Sequence, residues 1–152
     1  MAKQTNTGII YSLAAAEPAD QTQVAYEALT FTETSEITNI PAFGATVAVV
    51  ESNPLKTGVT EKFKGFKNYG SVSLDMDFDL GDDAGQALLE SGADGENDAV
   101  RYSHKLEYPN GEIRYFQGQI FSFTENPGGQ NSMITANANV EISTPIIRVS
   151  AP

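Results

Sequence analysis

The chain has 152 residues, 20 acidic against 9 basic side chains, a formal net charge of −11 and no cysteine. That length suits one domain, which buries roughly 70% of its unfolded surface and so folds without covalent staples. The missing cysteines exclude disulfides and thiolate metal sites, and the acidic balance argues against tight binding to nucleic-acid backbones, which needs clustered Lys and Arg.

The start, Met1-Ala2-Lys3-Gln4-Thr5, is polar. No apolar run follows that reads as a signal peptide, and nothing approaches the ~18 apolar residues of a membrane span. The expectation is a soluble protein made in the cytoplasm, one domain over 1–152, with a polar N-terminal arm at about 1–7.

β signals dominate from there on. Residues 8–13 read as a first strand and 17–20 as a loop. A Thr-rich second strand is expected over 26–34, and an apolar β-branched third over 45–50, broken by Glu51-Ser52-Asn53-Pro54. The stretch of about 53–69 is too long for a tight turn. It reads as a Lys-rich loop whose 60–66 part has strand character, and connections of that size are usually functional or disordered.

Residues 68–92, NYGSVSLDMDFDLGDDAGQALLESG, carry the clearest pattern. Val72, Leu74, Met76, Phe78 and Leu80 alternate with Ser71, Ser73, Asp75, Asp77 and Asp79. A side-chain period of two puts the apolar set inward and three carboxylates outward on a strand over 70–80. Like charges on one strand face repel, so such a row points to a surface that needs to be negative. Asp83 as N-cap with Gln86 three residues on predicts a capping box. Ala84, Ala87 and Leu88 form the expected apolar stripe of a two-turn helix, and Gly92 fits its C′ position. So short a helix must be held by packing, and Gly85 within it, costing ~1 kcal/mol relative to Ala, hints at close backbone approach.

After a polar loop over 91–98, Val100, Tyr102, His104, Leu106 and Tyr108 alternate, Pro109-Asn110-Gly111 turns the chain, and 113–123 returns with Phe121 and Phe123 on one face. Asn126-Pro127-Gly128-Gly129 then leads to a long last strand with Ile134, Ala136, Ala138, Val140 and Ile142 apolar, followed by a tail at about 144–152. About eight strands and one short flanking helix predict a mainly β fold, a β-sandwich or open barrel.

Charge is segregated. Lys56, Lys62, Lys64 and Lys67 are four of the nine basic residues, and nine of the twenty acids fall between Asn68 and Val100 with no Lys or Arg among them. Beside the plain reading of two solvated surfaces stands a heterologous contact, the basic segment of one copy meeting the acidic edge of the next. Contacts of that kind build rings and filaments, with charge setting register.

Catalytic and metal patterns fare worse. Asp75, Asp77 and Asp79 match positions 1, 3 and 5 of a calcium loop, but position 6 is Leu80 instead of Gly and position 12 is Gln86 instead of Glu. His104 is the single histidine and lies on the apolar side of its strand, as a satisfied, partly buried residue would. Neither a G-x-S-x-G, a P-loop nor a G-x-G-x-x-G occurs. Paired acids of the glycosidase kind are available by composition, yet they cluster on one strand and Trp is absent. Phe63, Phe66 and Tyr69 interleave with lysines in the manner of a single-strand nucleic-acid binder, and the acidic surroundings favour rings packed on a neighbouring element instead. The reading is a non-enzyme with no cofactor and no metal.

GSVSLDMDFDLGDDAGQALLES resembles the strand-to-helix segment of the major tail tube proteins of long-tailed bacteriophages. YPNGEIRYFQGQIFSF resembles that family's hairpin and return strand, and SMITANANVEISTPI its last long strand; together they cover roughly 70–149. The resemblance implies a tail-tube fold shared with the tubes of contractile secretion systems. It also implies hexameric rings that stack head to tail around a lumen through which DNA leaves the capsid. The expected partners are the chain itself, tape-measure, tail terminator and tail-tip proteins, and DNA in transient, non-specific passage, with no membrane; the expected place is the virion tail, assembled in the host cytoplasm. Some relatives add an immunoglobulin-like decoration domain; with Pro152 as the last residue of the sequence, none is expected here. Within this picture Asp75, Asp77 and Asp79 are candidate lumen or ring-edge acids, and Lys56, Lys62, Phe63, Lys64, Phe66 and Lys67 a candidate inter-ring stacking loop. The alternative is a non-polymerising decoration or carbohydrate-binding β-sandwich module.

Overall fold

The computed structural model describes residues 3–94 and 101–151. Ten strands and two helices follow in the order β1 (Ile10–Ala14), α1 (Gln23–Glu27), β2 (Thr32–Thr34), β3 (Ile37–Asn39), β4 (Thr46–Ser52), β5 (Glu61–Asn68), β6 (Ser71–Asp77), α2 (Ala84–Ala93), β7 (Tyr102–Glu107), β8 (Ile113–Asn126), β9 (Thr135–Ile142) and β10 (Ile147–Val149).

Eight of these strands make one sheet in the order β2-β1-β7-β8-β9-β6-β3, with β10 added beside β8. Its terminal strands β2 and β3 are only Ser35 and Glu36 apart in the chain. Two edges joined by so short a link must lie near each other, so the sheet curls almost shut. The open barrel is therefore the right half of the sandwich-or-barrel alternative. Closure also protects the edges that a flat sheet would leave to aggregation.

The inner face follows the alternation in the sequence. Val72, Leu74 and Met76 of β6, Ala136, Ala138, Val140 and Ile142 of β9, and Tyr11, Leu13, Leu106, Phe116 and Ile120 form one buried core. His104 is completely buried there, stacked on Phe116 at 5.2 Å between ring centroids. Its Nε2 donates to the Gly118 carbonyl at 3.2 Å, which leaves Nδ1 to accept from the Tyr11 hydroxyl at 2.7 Å. Burial pushes its pKa down to about 4, against a smaller upward pull from the Gly118 bond.

Several local expectations change. Residues 26–34 are not one strand: Thr22 caps α1, accepting from Ala25 N, and Tyr26 is buried against Tyr115 at 5.2 Å, so only 32–34 pair as β2. Helix α2 buries Gly85, Gln86 and Leu89, while Ala84 and Ala87 face outward and Leu88 is half-buried. The expected stripe is rotated because Gly85 lies on β2, where any Cβ would collide with Thr34 Oγ1 and come within 2.7 Å of Glu33 O. The close approach that Gly85 suggests is thus real.

Asp83 does cap α2, accepting from Gly85 N at 3.0 Å, and its other oxygen accepts from Ser35 N at 3.1 Å. The capping box itself does not form, since the Gln86 side chain turns to the end of β6. Gly92 is a helix residue and not the C′ position; it lets α2 lie against Ile120 and Tyr102. The expected polar loop after Ser91 is helical to Ala93, and 95–100, with Val100, lie outside the described residues. A bulge between Ile120 and Ser122 separates the two β8 aromatics, leaving Phe121 61% exposed while Phe123 packs on the core.

Candidate assembly surface

Strands β4 and β5 stand apart from the barrel as a separate two-stranded sheet. All seven residues of β4 are exposed, and in β5 only Gly65 is partly covered. The stem is narrow: Gly70 has φ +87°, and a Cβ on it would run into Gly44 O at the start of the hairpin. Among the described residues the hairpin carries seven of the eleven exposed large apolar side chains, Val47, Val49, Val50, Leu55, Val59, Phe63 and Phe66, with Leu55 at 99% and Phe66 at 93% exposure. A lone hairpin is marginal in water, and an apolar surface of this kind marks a contact with another protein. The Phe66 ring thus does not pack within the chain, and Phe63, opposite Val50, is 56% exposed.

The hairpin register does something the bare alternation does not. Val47 pairs Lys67, Val49 pairs Lys64 and Glu51 pairs Lys62, with a bulge between Val47 and Val49 that leaves Gly65 and Phe66 opposite Ala48. Directly paired residues share a face, so the bulge gathers Lys62, Lys64 and Lys67 on one side. Lys56 lies in the connecting turn. None of these four lysines forms an ion pair among the described residues, where the ion pair found is Arg114 with Glu112 at 3.6 Å.

The paired residues on the outer face of β6, β9 and β8 are polar, with Phe121 exposed at the β8 bulge. Ser71, Ser73, Asp75 and Asp77 pair with Glu141, Asn139, Asn137 and Thr135, which pair in turn with Gln119, Ser122, Thr124 and Asn126. No basic residue interrupts these twelve. Asp75 is held in place, accepting from Asn137 Nδ2 at 2.6 Å and Asn39 Nδ2 at 3.3 Å. Asp77 ends β6, and Asp79 lies past it in the turn to α2. The three candidate acids are therefore two strand residues and one turn residue, all half-buried. The stretch at about 144–152, expected as a tail, has its described residues tied down at two places: Thr144 Oγ1 accepts from Gln117 N, and 147–149 pair with β8. Sequence pattern does not reveal that pairing, because three residues carry no usable periodicity.

Among the described residues no group of three or more His, Cys, Asp or Glu side chains is placed to hold a metal ion, and no helix is long and apolar enough to cross a membrane. A curled barrel with an exposed apolar-and-basic arm and a polar wall free of basic residues defines a structural subunit whose surfaces are built for protein contact.

The family model described as lambda phage tail tube protein matches residues 16–144. The chain belongs to that family and is a structural, tube-forming virion protein. No curated protein matches it by sequence. The fold is similar to a solved chain in the tail of an empty GTA particle, refined with C6 symmetry, with TM-score 0.66 and 15% identity over 97% of this chain and 100% of that one. It is similar to a chain of the PVC extracellular contractile injection system, in its sheath/tube terminator in the extended state, with TM-score 0.65 and 10% identity over 99% of each chain. A chain of the anti-feeding prophage baseplate gives TM-score 0.64 and 7% identity over 99% of this chain and 98% of that one.

Proposed function

We propose that this chain assembles into hexameric rings that stack head to tail, and that the tube so formed conducts DNA during ejection. The observation that carries the reading is the β4–β5 hairpin, an arm with no packing of its own on either face and three lysines gathered on one side. It reaches the adjacent ring, where Lys62 and Lys64 meet acids. The C6 symmetry of the similar GTA tail supports six copies per ring.

The polar wall of β6, β9 and β8 lines the lumen in this reading, with Asp75, Asp77 and Asp79 as wall or ring-edge acids. A surface without cations holds no phosphate, and at ~0.15 M salt its repulsion reaches only about 8 Å, so DNA passes lubricated by water and counterions. The tube has no catalytic task. Its further partners are the tape-measure, tail terminator and tail-tip proteins, and assembly takes place in the host cytoplasm. The test is K62E/K64E: a folded monomer that fails to polymerise by negative-stain electron microscopy is expected, and tubes of normal appearance from that variant would overturn the hairpin's role.

A further inference from the structure

At the mouth of the barrel where β8 begins, Arg114 and Arg148 sit directly opposite each other on β8 and β10. Like charges directly opposite are destabilising in a sheet. Arg114 shares a register position with the buried Leu106, so it points with the core side chains, and its guanidinium lies 5.1 Å from the Tyr108 ring centroid. Its ion pair to Glu112 is long, at 3.6 Å, and Arg148 has no acidic partner among the described residues. The two arginines line a cleft of about 360 Å³ together with Phe43, Gly44, Tyr108 and Ile146. An under-neutralised arginine pair framing a cleft, in a chain of net charge −11, is a socket for a carboxylate.

The matching acids lie at the far end of the same barrel. β8 runs from the arginine end to Asn126, about 40 Å along the strand. There Asn126 pairs Thr135, Thr135 pairs Asp77, and the turn with Asp79 and Asp82 follows. The carboxylates of Asp79 and Asp82 have no hydrogen-bond or ion-pair partner among the described residues, and Asp82 is exposed. The two ends of β8 thus differ: an arginine-lined cleft, with Glu112 beside Arg114, at one and free carboxylates at the other. Phe43 and Gly44, which line the cleft, lead straight into β4, so the hairpin leaves from the arginine end too.

We infer that the Arg114–Arg148 cleft receives the Asp79–Asp82 turn of the next copy along the stack, a second inter-ring contact beside the hairpin that fixes the direction of stacking. The inference rests on the head-to-tail reading above. Because the two partner surfaces differ, the contact is heterologous and propagates without closing. Charge at such a contact selects register and suppresses the reversed pairing.

Charge reversal tests it on the full chain. R148E alters an exposed side chain, and its melting curve by circular dichroism is expected to match wild type. The concentration at which tubes sediment is expected to rise at least about tenfold. D82K alone is expected to impair assembly similarly, and R148E/D82K to restore it. Tubes from R148E at the wild-type concentration overturn this inference alone, as does a folded R148E that D82K fails to rescue. A wild-type chain that stays monomeric at every concentration overturns the stacking reading and this contact with it.

Discussion

The Gln86 side chain reaches out of α2 to accept from the backbone N–H of Asp79 at 2.9 Å, while its Nε2 donates to the Asp77 carbonyl at 2.7 Å. One fully buried amide thereby satisfies two main-chain groups where β6 ends and joins the chain to α2. Gln86→Ala is expected to strip both partners and cost about 2–3 kcal/mol, since a buried backbone group left unpaired loses its full desolvation energy. Urea denaturation of the monomer measures it. A loss below about 0.5 kcal/mol would mean water replaces the amide freely.

Thr34 and Gly85 give a pair of opposite expectations. Thr34 Oγ1 is the described buried side-chain oxygen without a hydrogen-bond partner. Thr34→Val keeps its shape and removes the unsatisfied hydroxyl, so stability is expected to hold or rise by up to about 1 kcal/mol. Gly85→Ala places a methyl against that same residue and is expected to cost about 1–3 kcal/mol by overpacking. Thermal melts of the two variants should move in opposite directions.

His104 ties stability to pH. Burial lowers its folded pKa to about 4 from the ordinary histidine value of 6.5, so between those values the unfolded chain binds the proton more readily. Its contribution is fully present above pH 6.5 and is lost as pH falls towards 4, by about 3 kcal/mol in total. The check is the difference in pH slope between wild type and His104→Leu from urea melts at pH 7.5 and 4.5. The leucine variant begins less stable, because Tyr11 and Gly118 lose their partner, but its curve should lack this step.

The hairpin should separate folding from assembly. Leu55 and Phe66 are almost wholly exposed, so L55S/F66S is expected to leave monomer stability within about 0.5 kcal/mol. The same variant is expected to lose tube formation in negative-stain images. A large drop in monomer stability would place these side chains in intramolecular packing instead.

The alternation in 71–77 and 135–142 was legible because a half-buried strand must put every second residue inward; Val72, Leu74, Met76, Ala136, Ala138 and Val140 all lie in the core, whereas the expected Ile134 is exposed before β9 and Leu80 lies past β6. The Asp83 cap was legible for an equally local reason, a short carboxylate beside free helix N–H groups. The helix at 23–27 was not, because five residues carry less than two turns of pattern and Tyr26 is held by Tyr115 from a distant strand.

Local pattern therefore fixes the strands with one buried face, the capped helix, the hairpin turn at 109–111 and the separation of acidic from basic segments. How these are used depends on contacts across the fold. Closure through Ser35 and Glu36 turned the sheet into a barrel, the β5 bulge moved Lys67 to the side of Lys62 and Lys64, and β10 set Arg148 against Arg114. The physical reason is the reach of each signal. Side-chain alternation and capping act within a few residues, whereas register, bulges and strand neighbours follow from contacts between segments far apart in the chain, which no local pattern encodes.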